Sequence, residues 1–238
     1  MKLAAYFLVL GMTALAARPV QEISSSAGSV KITPIQHASL MIEAGGKVLY
    51  VDPGQGDYEG LPAADFVLIT DIHGDHMDPK TLAKVAKAGT VVLAPQAVAK
   101  TIATATVINN GETKQAGPWR IEAVPMYNLQ RGPTPGKLYH DKGRGNGYIL
   151  TFGGKRFYIS GDTEGVPEMK ALKNIDVAFV CMNLPYTMPP DEAAAAVRAF
   201  LPKTVYPYHY RGSDLKTFEA GLQGSGVTVK LLDWYYKE

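Results

Sequence analysis

The chain is poor in cysteine, in net charge and in long apolar runs. One cysteine in 238 residues rules out an intramolecular disulfide framework and any multi-cysteine zinc ribbon. A formal net charge of +2 is too small and too evenly spread to mark a nucleic-acid footprint, so no nucleic-acid partner is expected. Only one apolar run is long, Leu3 to Leu15, and it is short for a bilayer span. Lys2 precedes it, and Ala14-Leu15-Ala16 supplies a small-x-small cleavage rule before Arg18-Pro19. Residues 1–17 therefore read as a cleaved signal peptide. The expected protein is exported, periplasmic or secreted, with no stable membrane span after cleavage; an uncleaved N-terminal anchor is the alternative. Residues 18–29, with Ser24-Ser25-Ser26-Ala27-Gly28-Ser29, are small and polar and read as a flexible linker. That leaves 30–238 as a single domain, and a hydrophobic content of 46% is enough for a substantial core.

What the chain does have is concentrated in Thr70-Asp71-Ile72-His73-Gly74-Asp75-His76-Met77-Asp78. Phe66-Val67-Leu68-Ile69 before it reads as a strand buried on both faces. Asp78-Pro79 after it reads as an N-cap with proline opening a helix from Pro79 to Ala88. The loop thus sits where a central strand hands over to a helix, the end of an α/β sheet at which ligands bind. Two imidazoles and two carboxylates packed this closely suit a divalent metal, and burying them unpaired would cost several kcal/mol. Gly74 is expected to supply the sharp turn that lets them converge.

Two hairpins frame this loop in a repeated pattern of strand, Gly-Gly, Lys, strand, acid. The first runs from Leu40 through Gly45-Gly46 to Asp52, the second from Tyr148 through Gly153-Gly154 to Asp162. Gly-Gly supplies the positive φ angles of a two-residue hairpin turn. The recurrence predicts two related halves, each with a sheet. Further strands are expected at Val30–Ile35, Thr90–Ala94, Ile121–Val124, Val177–Cys181, Thr204–Tyr208 and Val227–Leu232. Helices are expected near Gln96–Ala103, Pro167–Leu172, Pro190–Phe200 and Asp214–Leu222. The fold class is α/β, two mixed sheets face to face with helices outside. Tyr127 to Asn146 is a long loop rich in Gly, Pro, Lys and Arg, and loops of that length inside a domain are usually functional.

The remaining histidines and one acid follow the loop in a fixed order: His140 in the long loop, Asp162 in Gly161-Asp162-Thr163, and His209 in Tyr206-Pro207-Tyr208-His209-Tyr210. With the loop and Gly145-Asn146-Gly147-Tyr148, this series resembles the metallo-β-lactamase-fold hydrolases. The branch it is most similar to contains ascorbate-6-phosphate lactonase and N-acylphosphatidylethanolamine phospholipase D. The family's loop pattern is His-x-His-x-Asp-His, and here aspartate stands first.

The resemblance implies a four-layer αββα sandwich and two divalent metal ions, zinc first and manganese as the alternative. It places Asp71, His73 and His140 on one ion and Asp75, His76 and His209 on the other, with Asp162 between. A carboxylate at Asp71 would lower the net positive charge of the site and make bound water less acidic. The implied activity is hydrolysis of an ester, lactone or phosphodiester by hydroxide held between the ions. Asp75 is the candidate to orient that hydroxide, and His37, Tyr127, Asn128 and Arg144 are candidate donors to developing charge. Lys142 and Arg144 could draw a phosphate or carboxylate, and Asp52 could orient a metal-bound histidine. The expected substrate is a small molecule or lipid-like compound. Two rival readings remain: a metal-binding scaffold without turnover, suggested by Asp71, and a nuclease-type phosphodiesterase.

Overall fold

The computed structural model describes residues 18–235, so the expected signal peptide lies outside the described residues. The first half contains β1 (Gln21–Ser25), β2 (Gly28–Gln36), β3 (Ser39–Ala44), β4 (Lys47–Val51), β5 (Ala64–Leu68), α1 (Pro79–Val85), β6 (Ala86–Ala94), α2 (Gln96–Ala99) and β7 (Thr106–Val107). The second contains β8 (Thr113–Ala116), β9 (Trp119–Met126), β10 (Gly145–Phe152), β11 (Lys155–Ile159), α3 (Pro167–Lys170), β12 (Val177–Cys181), α4 (Pro190–Phe200), β13 (Thr204–Tyr208), α5 (Leu215–Leu222) and β14 (Thr228–Val229).

Each half forms one seven-stranded sheet, β1 to β7 in sequence order and β8 to β14 likewise. In both, the first four strands pair antiparallel and the rest parallel. The expected repeat is therefore a repeat of whole sheets. Both Gly-Gly turns take the left-handed backbone that the hairpins need, with φ of 58° and 70° at Gly45 and Gly46 and 52° and 75° at Gly153 and Gly154.

Alternation along the strands builds the layers. Leu40, Ile42, Leu49, Val51, Phe66 and Leu68 point into the core between the sheets. Met41, Tyr50, Val67 and Ile69 point the other way, against Leu82, Val85 and Val98 from α1 and α2. A strand covered on both faces must be apolar at every position, which is why 66–69 is a continuous apolar run. On the far side, α4 lays Ala193, Ala194, Ala196, Val197 and Phe200 onto the second sheet. The result is the expected α/β four-layer αββα sandwich.

Three expectations need correcting. Residues 21–29 are not a flexible linker: β1 pairs with β2 in register from Gln21–Ile32 to Ser25–Gly28. Its polar side chains mask a strand because only alternate positions are half-buried. The helix expected to reach Ala88 stops at Val85, where the chain turns extended and enters β6. The last strand shrinks to Thr228–Val229, since only those residues pair with β13. Among the described residues, no helix is long and apolar enough to cross a membrane.

Candidate metal centre

The site lies where the parallel strands of both sheets end. After β5 the chain leaves the sheet and folds over itself, His76 and Met77 both donating backbone N–H to the His73 carbonyl. The Asp78 side chain accepts from the backbone N–H groups of Lys80 and Thr81 and caps α1. The glycine this loop requires is not Gly74, around which a Cβ would meet open space. It is Gly54, in the turn after β4, where a Cβ would collide with the Asp75 carbonyl and the His76 nitrogen. Three non-glycine residues with left-handed backbone border the site: His37 at φ 57°, Asp52 at 48° and His209 at 50°. Each such conformation costs about 1–3 kcal/mol and is retained where the surroundings impose it.

Seven side chains converge. Asp162, at the end of β11, is buried among imidazoles. Its Oδ2 lies 3.3 Å from Nε2 of both His76 and His140, and its Oδ1 lies 3.3 Å from His209 Nε2. Asp75 Oδ2 is 3.3 Å from His209 Nε2 and 3.9 Å from His76 Nε2. Asp71 Oδ2 is 2.9 Å from His73 Nδ1 and 3.9 Å from His140 Nε2. Two groups able to hold an ion follow, Asp71-His73-His140 and His76-Asp162-His209, and a third, His37-Asp75-His209, overlaps the second.

These residues fit a metal. His76 Nε2, His140 Nε2 and Asp162 Oδ1 are buried with no hydrogen-bond partner, a costly state unless something else binds them. Ligands at about 2.0–2.1 Å from a tetrahedral ion stand about 3.3 Å from one another, the spacing found around Asp162. The charges agree. Burial alone would push the Asp162 carboxyl up, yet His209, His76 and His140 hold it well below the usual carboxylate range. Burial opposes a charge on His76, but Asp162 and Asp52 raise its affinity for a proton well above the usual histidine value. A field that draws a proton to that nitrogen also draws a cation, which displaces the proton on binding.

The surroundings fix which nitrogen each imidazole presents. Asp52, after β4, accepts from Thr70 N at 2.7 Å, from Thr70 Oγ1 at 2.6 Å and from His76 Nδ1 at 2.8 Å. This leaves His76 Nε2 free to face the site, the role expected of Asp52. Asn128 Oδ1 does the same for His140, accepting from its backbone N at 2.8 Å and its Nδ1 at 2.6 Å. Asp52→Asn would offer an N–H to His76 Nδ1, leaving Nε2 to carry the proton. Zinc affinity should fall by about 10–100-fold with the fold intact, as measured by competition with a chromophoric chelator.

The expected donors fare unequally. His37 reaches the site: its Nε2 is 3.3 Å from Asp75 Oδ2, its ring stacks on His209 at 3.7 Å, and Tyr235 Oη holds its Nδ1. Tyr127 does not, because its hydroxyl is 2.9 Å from Glu168 and its ring lies under Lys142. Lys142 itself is taken by Glu168. Asn128 is committed to His140, Glu164 and the Tyr186 carbonyl, so it positions a histidine rather than facing substrate. Arg144 grips Asp71.

Two features carry no sequence signal. Glu164 is buried and accepts from Leu129 N, Gln130 N, Arg131 N and Asn128 Nδ2, anchoring the long loop. The other is the cleft above the site, about 650 Å³, whose walls include Gln55, Arg211, Tyr139, Leu184 and Tyr186. Only the fold brings these separate segments together.

Residues 31–209 match the family described as the beta-lactamase superfamily domain. A UPF0173 metal-dependent hydrolase of Pyrococcus abyssi is 32% identical over 199 residues, covering 76% of this chain and 84% of the relative. A solved Parabacteroides distasonis protein, provisionally named a metal-dependent hydrolase, is 42% identical with a TM-score of 0.85, covering 91% of this chain and 99% of that one. Igni18, a metallo hydrolase of Ignicoccus hospitalis, shares the fold at 23% identity and a TM-score of 0.71, covering 86% of this chain and 95% of that one. With ligand-type residues gathered at the ends of both sheets, the chain belongs to the beta-lactamase superfamily and is a metal-dependent hydrolase of metallo-β-lactamase fold.

Proposed function

We propose that this protein is exported and hydrolyses an ester, lactone or phosphodiester bond in a small or lipid-like substrate, using two divalent ions. Asp71, His73 and His140 would hold one ion and Asp75, His76 and His209 the other, with Asp162 between them. The carrying observation is the set of buried nitrogens and oxygen around Asp162 that have no hydrogen-bond partner, beside an open cleft. Zinc suits this His/Asp set, and manganese is the second choice. Such ions make a bound water acidic and polarise the group under attack.

The chain's own residues do the rest. Asp75 stays ionised: burial opposes its charge, but His209 and His37 hold its carboxyl well below the usual range. As a carboxylate it can accept a hydrogen bond at Oδ2 and orient the group that donates it. His37, kept in place by Tyr235, brings its Nε2 to 3.3 Å from that oxygen. Leu184, about half-exposed, and Tyr186 give one wall an apolar character suited to an acyl or aryl group. Arg211 faces the cleft with Gln55 Oε1 at 3.3 Å, its guanidinium over the Tyr235 ring, and no carboxylate bridge among the described residues. It suits a substrate anion. Arg211→Ala should raise KM for an anionic substrate by about tenfold or more, with a smaller change in kcat, in steady-state kinetics against a neutral analogue.

The test is elemental analysis of protein purified without added metal, then assays with bis(p-nitrophenyl)phosphate, a simple lactone and an aryl ester. About two ions per chain with chelator-sensitive turnover is the expected result. Two ions with no turnover on any of the three would favour the binding-scaffold reading. Sequencing the N terminus of the exported protein tests cleavage after residue 17.

A further inference from the structure

We propose that Asp71 and Arg144 work as one charge-neutral unit that replaces a histidine at the first metal position. The inference rests on the two-ion reading above. Asp71 is fully buried, and Arg144 binds it with both arms of the guanidinium: Nε to Oδ1 at 3.1 Å and Nη2 to Oδ2 at 3.0 Å. Oδ2 also faces His73 Nδ1 and His140 Nε2, the two imidazoles of that position. Oδ1 is therefore held by the arginine Nε, while Oδ2 is shared between Nη2 and the ligand set. A planar fork on a carboxylate fixes its orientation as well as its charge.

The pair is built into the fold. Asn146 N donates to the Thr70 carbonyl at 2.9 Å, which sets the end of the long loop beside the residue before Asp71. A Cβ on Gly145 would crowd that same carbonyl, so glycine permits the approach. Arg144 N donates to the Asp141 carbonyl, closing the turn that aims the guanidinium inward. No side-chain hydrogen bond of Arg144 other than those to Asp71 exists among the described residues.

The consequence is electrostatic. With histidine at position 71, the fixed negative charges of the cluster would be Asp75 and Asp162. With aspartate there and arginine bound to it, the net charge is the same. The extra carboxylate therefore need not blunt the acidity that the ions confer on water, and Arg144 is a positioning residue rather than a substrate anchor.

Chelator-stripped protein titrated with zinc by calorimetry tests this, using wild type, Asp71→His, Arg144→Gln and the double variant. Asp71→His leaves a bare guanidinium beside the ion and should weaken uptake of the second zinc by about tenfold or more. Adding Arg144→Gln to that variant should restore uptake to near the wild-type level. Arg144→Gln alone should bind the second zinc at least as tightly as wild type. Thermal melts of all four in chelator confirm a common fold. Equal zinc affinity for Asp71→His and the double variant would overturn the pair. So would an Arg144→Gln protein with unchanged zinc binding and a raised KM. A wild-type protein that takes up fewer than two ions would overturn the two-ion reading, and the pair with it.

Discussion

Asp162→Ala is expected to strip the protein of both ions and lower turnover by about a thousandfold or more, while the polypeptide stays folded. Asp162 faces three imidazoles and uses both oxygens to do so, two through Oδ2 and one through Oδ1. Its removal takes away the side chain proposed to stand between the two ligand groups. Metal assistance is worth several kcal/mol of transition-state stabilisation, and each 1.36 kcal/mol is a factor of ten in rate. The fold should survive because the strand carrying Asp162 is held by β10 and β12 through residues 155–159. Asp162→Asn is the matched control, since it keeps the shape and removes the charge; it should lose metal almost as completely. Metal content, circular dichroism and kcat on the same preparations decide the matter. Two tightly bound ions in either variant would show that Asp162 does not join the groups.

Glu164→Ala, two residues along, should do the opposite and damage the fold first. Its carboxylate accepts from three consecutive backbone N–H groups, Leu129 at 3.1 Å, Gln130 at 3.3 Å and Arg131 at 2.8 Å, and from Asn128 Nδ2 at 3.1 Å. Alanine would leave these donors stranded, a loss of about 3–5 kcal/mol by analogy with breaking a buried ion pair. Against a total stability of about 5–15 kcal/mol this is a large fraction. The loop it anchors carries Asn128 and, through it, His140. Metal affinity at that position should therefore fall together with stability. Urea unfolding midpoints and zinc titrations report the two losses separately. A variant of unchanged stability would mean that the loop is held from elsewhere.

The sequence made the ligands legible because all but His140 follow a strand with a strong apolar signal, and because five histidines are few enough to order. Asp52 was legible as a supporting acid for the same reason, following β4 as Asp162 follows β11. Partnership was harder to read. Arg144 reads in the sequence as a candidate donor to substrate charge, and only the pairing of Asn146 with Thr70 reveals that it meets Asp71, 73 positions away. Asn128 and Tyr127 are neighbours with unrelated partners, His140 and Glu168. Nothing local separates them. β1, β7 and β8 escaped because short or polar strands are defined by the partner they join rather than by their own composition.

The site draws on both sheets: Asp71, His73, Asp75 and His76 follow a strand of one, while His140, Asp162 and His209 belong to the other. Ions bound there would cross-link the two halves of a chain that has no disulfide to do so. The clamp would be reversible and governed by mass action. An ion at a hundred times its dissociation constant adds about 2.7 kcal/mol to the folded state. For a domain of this size that is a rise in melting temperature of about 5–10 °C, and differential scanning calorimetry with and without chelator should show it. Metal supply would then set how long the protein survives as well as how fast it turns over.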